Sequence, residues 1–191
     1  MITTNIIPSA VGDITLVSLV NASDASVTLS ALDHLLRIAA SRYLPTDDTL
    51  VPLGNLAPVA NTPMDFTVPK PFGADMRADF DALNYGKGYD HCWAIDDYVP
   101  GLVRHIATLH HPASGRALDV LSDQPGVQVY GGNWLTGSPT AKGGYEYHDY
   151  DAIAIECQDF PDAPNKPSFP STVLRPGDSY CRHIVYKLSV I

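Results

Sequence analysis

Three stretches of this 191-residue chain place a side chain capable of acid, base or hydrogen-bond chemistry on a regular β-strand pattern. In AIAIECQ (152–158), strict alternation puts Ile153, Ile155 and Cys157 on one face and Ala152, Ala154, Glu156 and Gln158 on the other. A carboxylate next to a pair of alanines on one strand face has open space above it, enough to admit a small ligand. Taken alone, the pattern also fits a surface strand with a solvated Glu156. In GYDHCWAI (88–95), Tyr89, His91 and Trp93 share one face and Asp90, Cys92 and Ala94 the other, so a second acid sits beside small neighbours. In QPGVQVYGGNW (124–134), Val127 and Val129 point to a core, which turns Gln128 and Tyr130 the opposite way. Gly131 and Gly132 follow and would let a ligand approach the backbone closely.

The other reactive residues give weaker patterns. His110 and His111 adjoin a turn, and as neighbours on a strand they point to opposite faces. With His148 and Asp149 they have no zinc spacing, so they read as solvated or hydrogen-bonded histidines. His34 reads as structural. Cys92, Cys157 and Cys181 show no CxxC spacing and leave one thiol over in any disulfide scheme. Cys157 and Cys181 are both predicted on strands, packed as small hydrophobes in a reduced compartment. No GxSxG, GxxxxGK, GxGxxG or HExxH motif occurs.

The elements that would position these residues are short strands. ITLVSLV (14–20) reads as a buried strand, and NASDAS (21–26) as a turn. DHLLRIAASRYLPTDD (33–48) alternates at Leu36, Ile38 and Ala40, which favours a strand over a helix. One short amphipathic helix is predicted between Ala74 and Asn84, from Met76, Phe80 and Leu83 at helical spacing. VRHIATLHHPASGRALDVLS (103–122) reads as a hairpin turning at PASG. RPGD (175–178) is a tight turn, and YCRHIVYKLSVI (180–191) a last strand with Tyr180, Ile184, Tyr186, Leu188 and Val190 on one face. Pro161, Pro164, Pro167 and Pro170 stiffen the connection after Gln158. The pattern is all-β, in one domain spanning 1–191.

Composition fits a folded globular domain: 45% hydrophobic and 17% charged, with 14 Gly and 16 Pro scattered among the strands. The formal net charge of −9 repels phosphate backbones and anionic lipid, so nucleic acid and membrane are excluded as expected partners. The start, MITTNIIPSAVGD, has neither the basic residues nor the apolar run of a signal peptide. A cytoplasmic protein is expected.

ECQDFPDAPNKPSFP (156–170) resembles the C-terminal signature of the aldose 1-epimerase (galactose mutarotase) family. There, a Glu followed by Gln and a PDA-N-P-FP loop carries the catalytic base. The resemblance extends to SRYLPTDDTLVPLG, LAPVANTPMDF, PFG, GYDH and QPG-Q-Y, and is strongest over 33–191. It implies an all-β β-sandwich of the galactose mutarotase-like supersandwich type, truncated at the N-terminus. It also implies an isomerase that interconverts the α and β anomers of hexoses such as glucose or galactose, without metal or cofactor. By position, Glu156 would be the base, and Asp90 and Gln128 would hold sugar hydroxyls. Trp134 fits either stacking on a sugar face or simple packing.

The family's acid, a His in a TNHxYFNL motif, is not evident: if Asn21 matches the motif's Asn, Ala22 stands in the His position. The resemblance therefore carries two expectations, an isomerase, active or impaired, acting on an aldohexose or a non-catalytic carbohydrate-binding β-sandwich. A shortened sandwich would expose strand edges and an apolar sheet face, so a homo-oligomer or a poorly soluble chain is expected.

Overall fold

The computed structural model describes residues 3–7, 14–18, 30–140, 144 and 146–191. The strands are β1 (Thr3–Ile7), β2 (Ile14–Ser18), β3 (Leu35–Ile38), β4 (Arg42–Tyr43), β5 (Ala57–Pro58) and β6 (Lys70–Pro71), followed by β7 (Asp90–Ala94), β8 (Arg104–His111), β9 (Arg116–Ser122), β10 (Gly126–Tyr130), β11 (Ile153–Gln158) and β12 (Ile184–Val190). A six-residue helix, α1 (Asp81–Gly86), and a 3-10 turn (Ala163–Asn165) complete the elements. A seven-stranded sheet runs β1-β2-β11-β10-β7-β4-β5 and a five-stranded sheet runs β12-β9-β8-β3-β6, paired antiparallel throughout. Among the described residues, no helix is long and apolar enough to cross a membrane.

The inward faces of both sheets meet in one core. Trp93, Val127, Val129 and Ile155 come from the larger sheet, and Leu36, Ile38, Leu109 and Val120 from the smaller. This is a sheet-on-sheet sandwich, built by the period-2 alternation of each strand. Trp93 and Tyr89 anchor it: the Trp93 indole N–H donates to the Met64 carbonyl at 2.9 Å and the Tyr89 hydroxyl to the Pro63 carbonyl at 2.9 Å. Phe66 packs edge-on against both rings, 5.1 and 5.9 Å between centroids, so the 62–72 segment is clamped onto the sheet.

A second, smaller cluster lies on the other face of the seven-stranded sheet. Leu44, Cys92 and Ala94 pack there against Phe160, Ala163 and Phe169 of the proline-rich connection. Phe160 and Phe169 meet edge to face at 5.2 Å, and the Ser168 hydroxyl donates to the Gly54 carbonyl at 2.5 Å. The connection is thereby held over the Cys92–Ala94 end of β7, beside the end of β11 that carries Glu156 and Gln158.

Several expectations shift against this frame. The strand at 14–20 is β2 as far as Ser18. Leu19 and Val20, the NASDAS turn, and Asn21 and Ala22 lie outside the described residues. The helix begins only at Asp81, because Phe80 is still extended (φ −145°) and the stretch before it turns back on itself, Ala78 N–H donating to the Asp75 carbonyl. Met76 and Leu83 are buried as expected. Cys181 is exposed and precedes β12 instead of lying on a strand, whereas Cys157 is buried on β11. On β12, Ile184 and Tyr186 pack on the core, but Leu188 and Val190 run beyond it and are 46% and 75% exposed. The hairpin at PASG and the RPGD turn are present, the latter closed by Asp178 N–H to the Arg175 carbonyl at 3.0 Å.

Candidate functional site

Pairing between adjacent strands brings the candidate side chains together. Gln128 on β10 stands directly opposite Glu156 on β11, and Tyr130 stands opposite Asp90 on β7. Because all four side chains leave the same sheet face, they are cross-strand and diagonal neighbours. Glu156, Asp90 and Gln128 line one cavity of about 400 Å³, with Tyr130, Trp134 and Pro161. His91, Cys92 and Gln158 also line it, and the loop between β4 and β5 adds Leu44, Thr46, Leu50 and Pro52. Asp47 shapes that loop by accepting hydrogen bonds from the Thr49 and Val51 backbone N–H groups.

The cavity does not lie above the alanines of β11. Ala152 and Ala154 are themselves buried, at 7% and 1% exposure, and the open space lies toward Gln158 and Pro161. Nor do the two glycines after β10 serve ligand approach. A Cβ at Gly131 would come within 2.7 Å of Asn133 Oδ1, and one at Gly132 within 2.9 Å of the Ala152 carbonyl oxygen. They allow the chain to turn tightly enough for buried Asn133 to donate to the Gly86 and Tyr89 carbonyls, at 2.7 and 3.0 Å. Gly132 also has φ +68°, a region that costs a residue with a Cβ about 1–2 kcal/mol. Gly132→Ala is therefore expected to lower the thermal unfolding midpoint by several degrees, at about 2–4 °C per kcal/mol. An unchanged melt would show that this turn is not tightly packed.

Trp134 stands at the rim, 60% exposed. Its backbone N–H donates to the Tyr130 hydroxyl at 3.1 Å, and Lys87 Nζ lies 4.6 Å from its ring centroid. Lys87 is in turn paired with Asp149, whose carboxylate accepts from the Thr136 N–H. The ring is thus an exposed, braced surface, not core packing.

Electrostatics sharpen the site. Burial, and secondarily the charge of Asp90, pushes the Glu156 carboxyl up to about 7. Burial also raises Asp90, while the hydrogen bond it accepts from Gln128 Nε2 at 2.8 Å opposes the rise. A carboxyl poised near neutrality, in a cavity beside a second carboxyl, suits proton exchange with a neutral ligand. Cys92 faces Gln128 across β7 and β10, and burial raises its thiol well above the usual range, so it is an inert wall.

The remaining histidines are dispersed. His34 stacks on His111 with centroids 4.7 Å apart, near Asp33, and burial holds it down at about 4. His148 pairs with Asp151. Among the described residues no His, Cys, Asp or Glu cluster could hold a metal ion. The histidine in the cavity wall is His91, which burial also lowers to about 4. Sequence patterning missed His91, Thr46 and Leu50 as wall residues. The prolines bracketing PTDDTLVP mark a turn, but nothing local tells where that turn docks.

The aldose 1-epimerase family model matches residues 21–187. The galactose mutarotase of Homo sapiens is 42% identical over 159 residues, covering 83% of this chain and 44% of that protein. The aldose 1-epimerase of Haemophilus influenzae is 36% identical over 150 residues, 78% of this chain and 42% of that protein. The crystal structure of an aldose epimerase homologue from C. elegans superposes with a TM-score of 0.77 at 25% identity, over 94% of this chain and 50% of that one. The chain thus spans less than half the length of the curated relatives it matches.

Proposed function

The chain belongs to the aldose 1-epimerase family, and on that premise we propose that its cavity binds an aldohexose and that Glu156 is the general base of anomer interconversion. The observation that carries this reading is the carboxyl of Glu156, moved by burial to about 7 in a cavity it shares with Asp90 and Gln128. An ionised Glu156 takes the proton of the anomeric hydroxyl, and the bond between the anomeric carbon and the ring oxygen breaks. The ring oxygen takes up a proton, and an open-chain aldehyde results. Rotation of the carbonyl and the reverse transfers close the ring as the other anomer. Asp90 accepts hydrogen bonds from sugar hydroxyls, and Gln128, which lines the cavity beside it, holds Asp90 in place by donating from Nε2.

The ring-oxygen proton has no charged donor among the described wall residues. His91 is held neutral, and a neutral imidazole donates a hydrogen bond but gives up its proton poorly. Water supplies that proton in this reading, so turnover is slow. The absence of a charged acid from the described wall also favours a second reading, in which the cavity binds sugar without turning it over. Polarimetry on freshly dissolved α-glucose and α-galactose separates the two. Isomerisation requires the optical rotation to relax faster with the protein than in matched buffer, whereas binding without acceleration leaves only the second reading.

A further inference from the structure

Cleavage of the anomeric bond leaves an electron pair on the ring oxygen, and that oxygen needs a hydrogen-bond donor close to Glu156. The anomeric hydroxyl and the ring oxygen share one carbon, so base and donor must approach the same atom from two sides. Cross-strand register supplies such a pair. Gln128 stands opposite Glu156, and Tyr130 lies two residues further along β10, opposite Ala154. Tyr130 is thus a diagonal neighbour of Glu156, at a spacing of about 7–8 Å. Both side chains line the cavity.

Most other donors of the wall are buried or committed. Thr46 Oγ1 and His91 Nε2 have no accessible surface, the Cys92 thiol is buried, and Gln128 Nε2 donates to Asp90 at 2.8 Å. The Tyr130 hydroxyl is placed differently. It accepts the Trp134 backbone N–H at 3.1 Å, which occupies a lone pair and leaves the O–H hydrogen free. The chain just beyond Trp134 is pinned, because Asp149 accepts the Thr136 N–H at 2.9 Å and pairs with Lys87. Gln158 and Trp134 also carry N–H groups at the wall. A phenol is far more acidic than an amide or an indole, so it stabilises a developing alkoxide better. Burial raises the Tyr130 phenol above its ordinary range, and the charges of Asp90 and Asp149 add to the rise, against the Trp134 N–H and Lys87. The phenol therefore keeps its hydrogen at a pH where Glu156 is ionised.

We infer that Tyr130 is a further catalytic residue, whose hydroxyl donates a hydrogen bond to the ring oxygen as the anomeric bond breaks. This role rests on the isomerase reading of the site and serves the second oxygen of the reaction. The electron pair of the broken bond moves onto the ring oxygen, and the phenol bonds to it without ionising. The proton itself comes from water. On ring closure that transfer and the one at Glu156 both reverse, so no proton is gained or lost.

The test combines polarimetry and calorimetric titration on the parent chain, on Tyr130→Phe, and on a chain carrying 3-fluorotyrosine at position 130. Tyr130→Phe should lower turnover by about 10²-fold, the low end for loss of one such donor. Glucose affinity should stay within a few-fold of the parent, because the bond strengthens only as charge develops. The fluorinated phenol is a stronger donor and a weaker acceptor, so at pH 7 it should turn over faster than the parent. A phenol that only accepts from the Trp134 N–H would give no gain, and that result overturns the role. This comparison keeps the hydroxyl, so it decides the matter if Tyr130→Phe unfolds. A folded Tyr130→Phe chain with parental turnover, or one whose KM rises while kcat is unchanged, also overturns the role alone. A parent with no rate above buffer overturns the isomerase reading and this role with it.

Discussion

Glu156→Gln is expected to reduce protein-catalysed mutarotation by about 10²–10⁴-fold, the typical contribution of a general base, while hexose affinity stays within a few-fold of the parent. The amide keeps the size and the hydrogen-bonding reach of the side chain but cannot take the anomeric proton. Rates come from polarimetry and affinities from calorimetric titration, on the same preparations. Unfolding does not mimic this result, because the stability effect runs the other way. Folding raises the Glu156 pKa from 4.5 to about 7, so its contribution to stability is complete below 4.5 and is lost as the pH climbs to 7. The amide has no such loss. At pH 8 the variant should therefore melt at or above the parent, and the gap should close below pH 4.5. A variant that folds and retains parental turnover removes Glu156 from the chemistry.

Asp90→Asn is expected to act on both binding and ionisation. Hydrogen bonds to a charged acceptor contribute about 1.5–3 kcal/mol, so removing the charge should weaken hexose binding by about 10–100-fold. The amide oxygen can still accept from Gln128 Nε2, which leaves the local geometry intact. Asp90 is the secondary cause of the raised Glu156 carboxyl, after burial. The pH midpoint of any residual turnover should accordingly move downward, yet remain above the ordinary glutamate value. A pH–rate profile of the variant reads this shift. An unmoved midpoint would mean that the two carboxyls do not sense each other.

The parts of this site that repeat with period 2 were legible in the amino-acid order. Alternation in 152–158, 126–130 and 90–94 separated Ile155, Val129 and Trp93 from Glu156, Gln128 and Asp90, and the sheet keeps that separation. Antiparallel pairing then carries three local patterns to one place, and no local pattern states which strands pair. The loop of Leu44–Pro52 forms a wall of the cavity only because β4 lies beside β7, a contact between residues some 50 positions apart, as in Arg42 opposite Ala94. His91 was sorted correctly onto the face of Tyr89 and Trp93. It nevertheless reaches the cavity wall, and its tautomer depends on a hydrogen bond from its own neighbour's backbone.

The glycine reading, and the start of the helix, went astray for a different reason. Gly131 and Gly132 signalled close approach, but the approaching atoms belong to Phe72, Asn133, Leu135 and Ala152 of the chain itself. Helical spacing of Met76, Phe80 and Leu83 reports burial, which turns deliver as well as a helix does when Asp75 accepts a backbone hydrogen bond. Exposure of Leu188 and Val190 reflects where the core ends, which alternation along β12 does not encode.

The central claim, that Glu156 is a base set near neutrality within a hexose-binding cavity, is tested most directly by the pH dependence of mutarotation by the unaltered chain. The base must be ionised to act, so the buffer-corrected rate on α-glucose or α-galactose should rise with pH and reach half its plateau near pH 7. A rate already at its plateau at pH 5.5, as an ordinary glutamate would give, or no rate above buffer at any pH between 5 and 9, would contradict it.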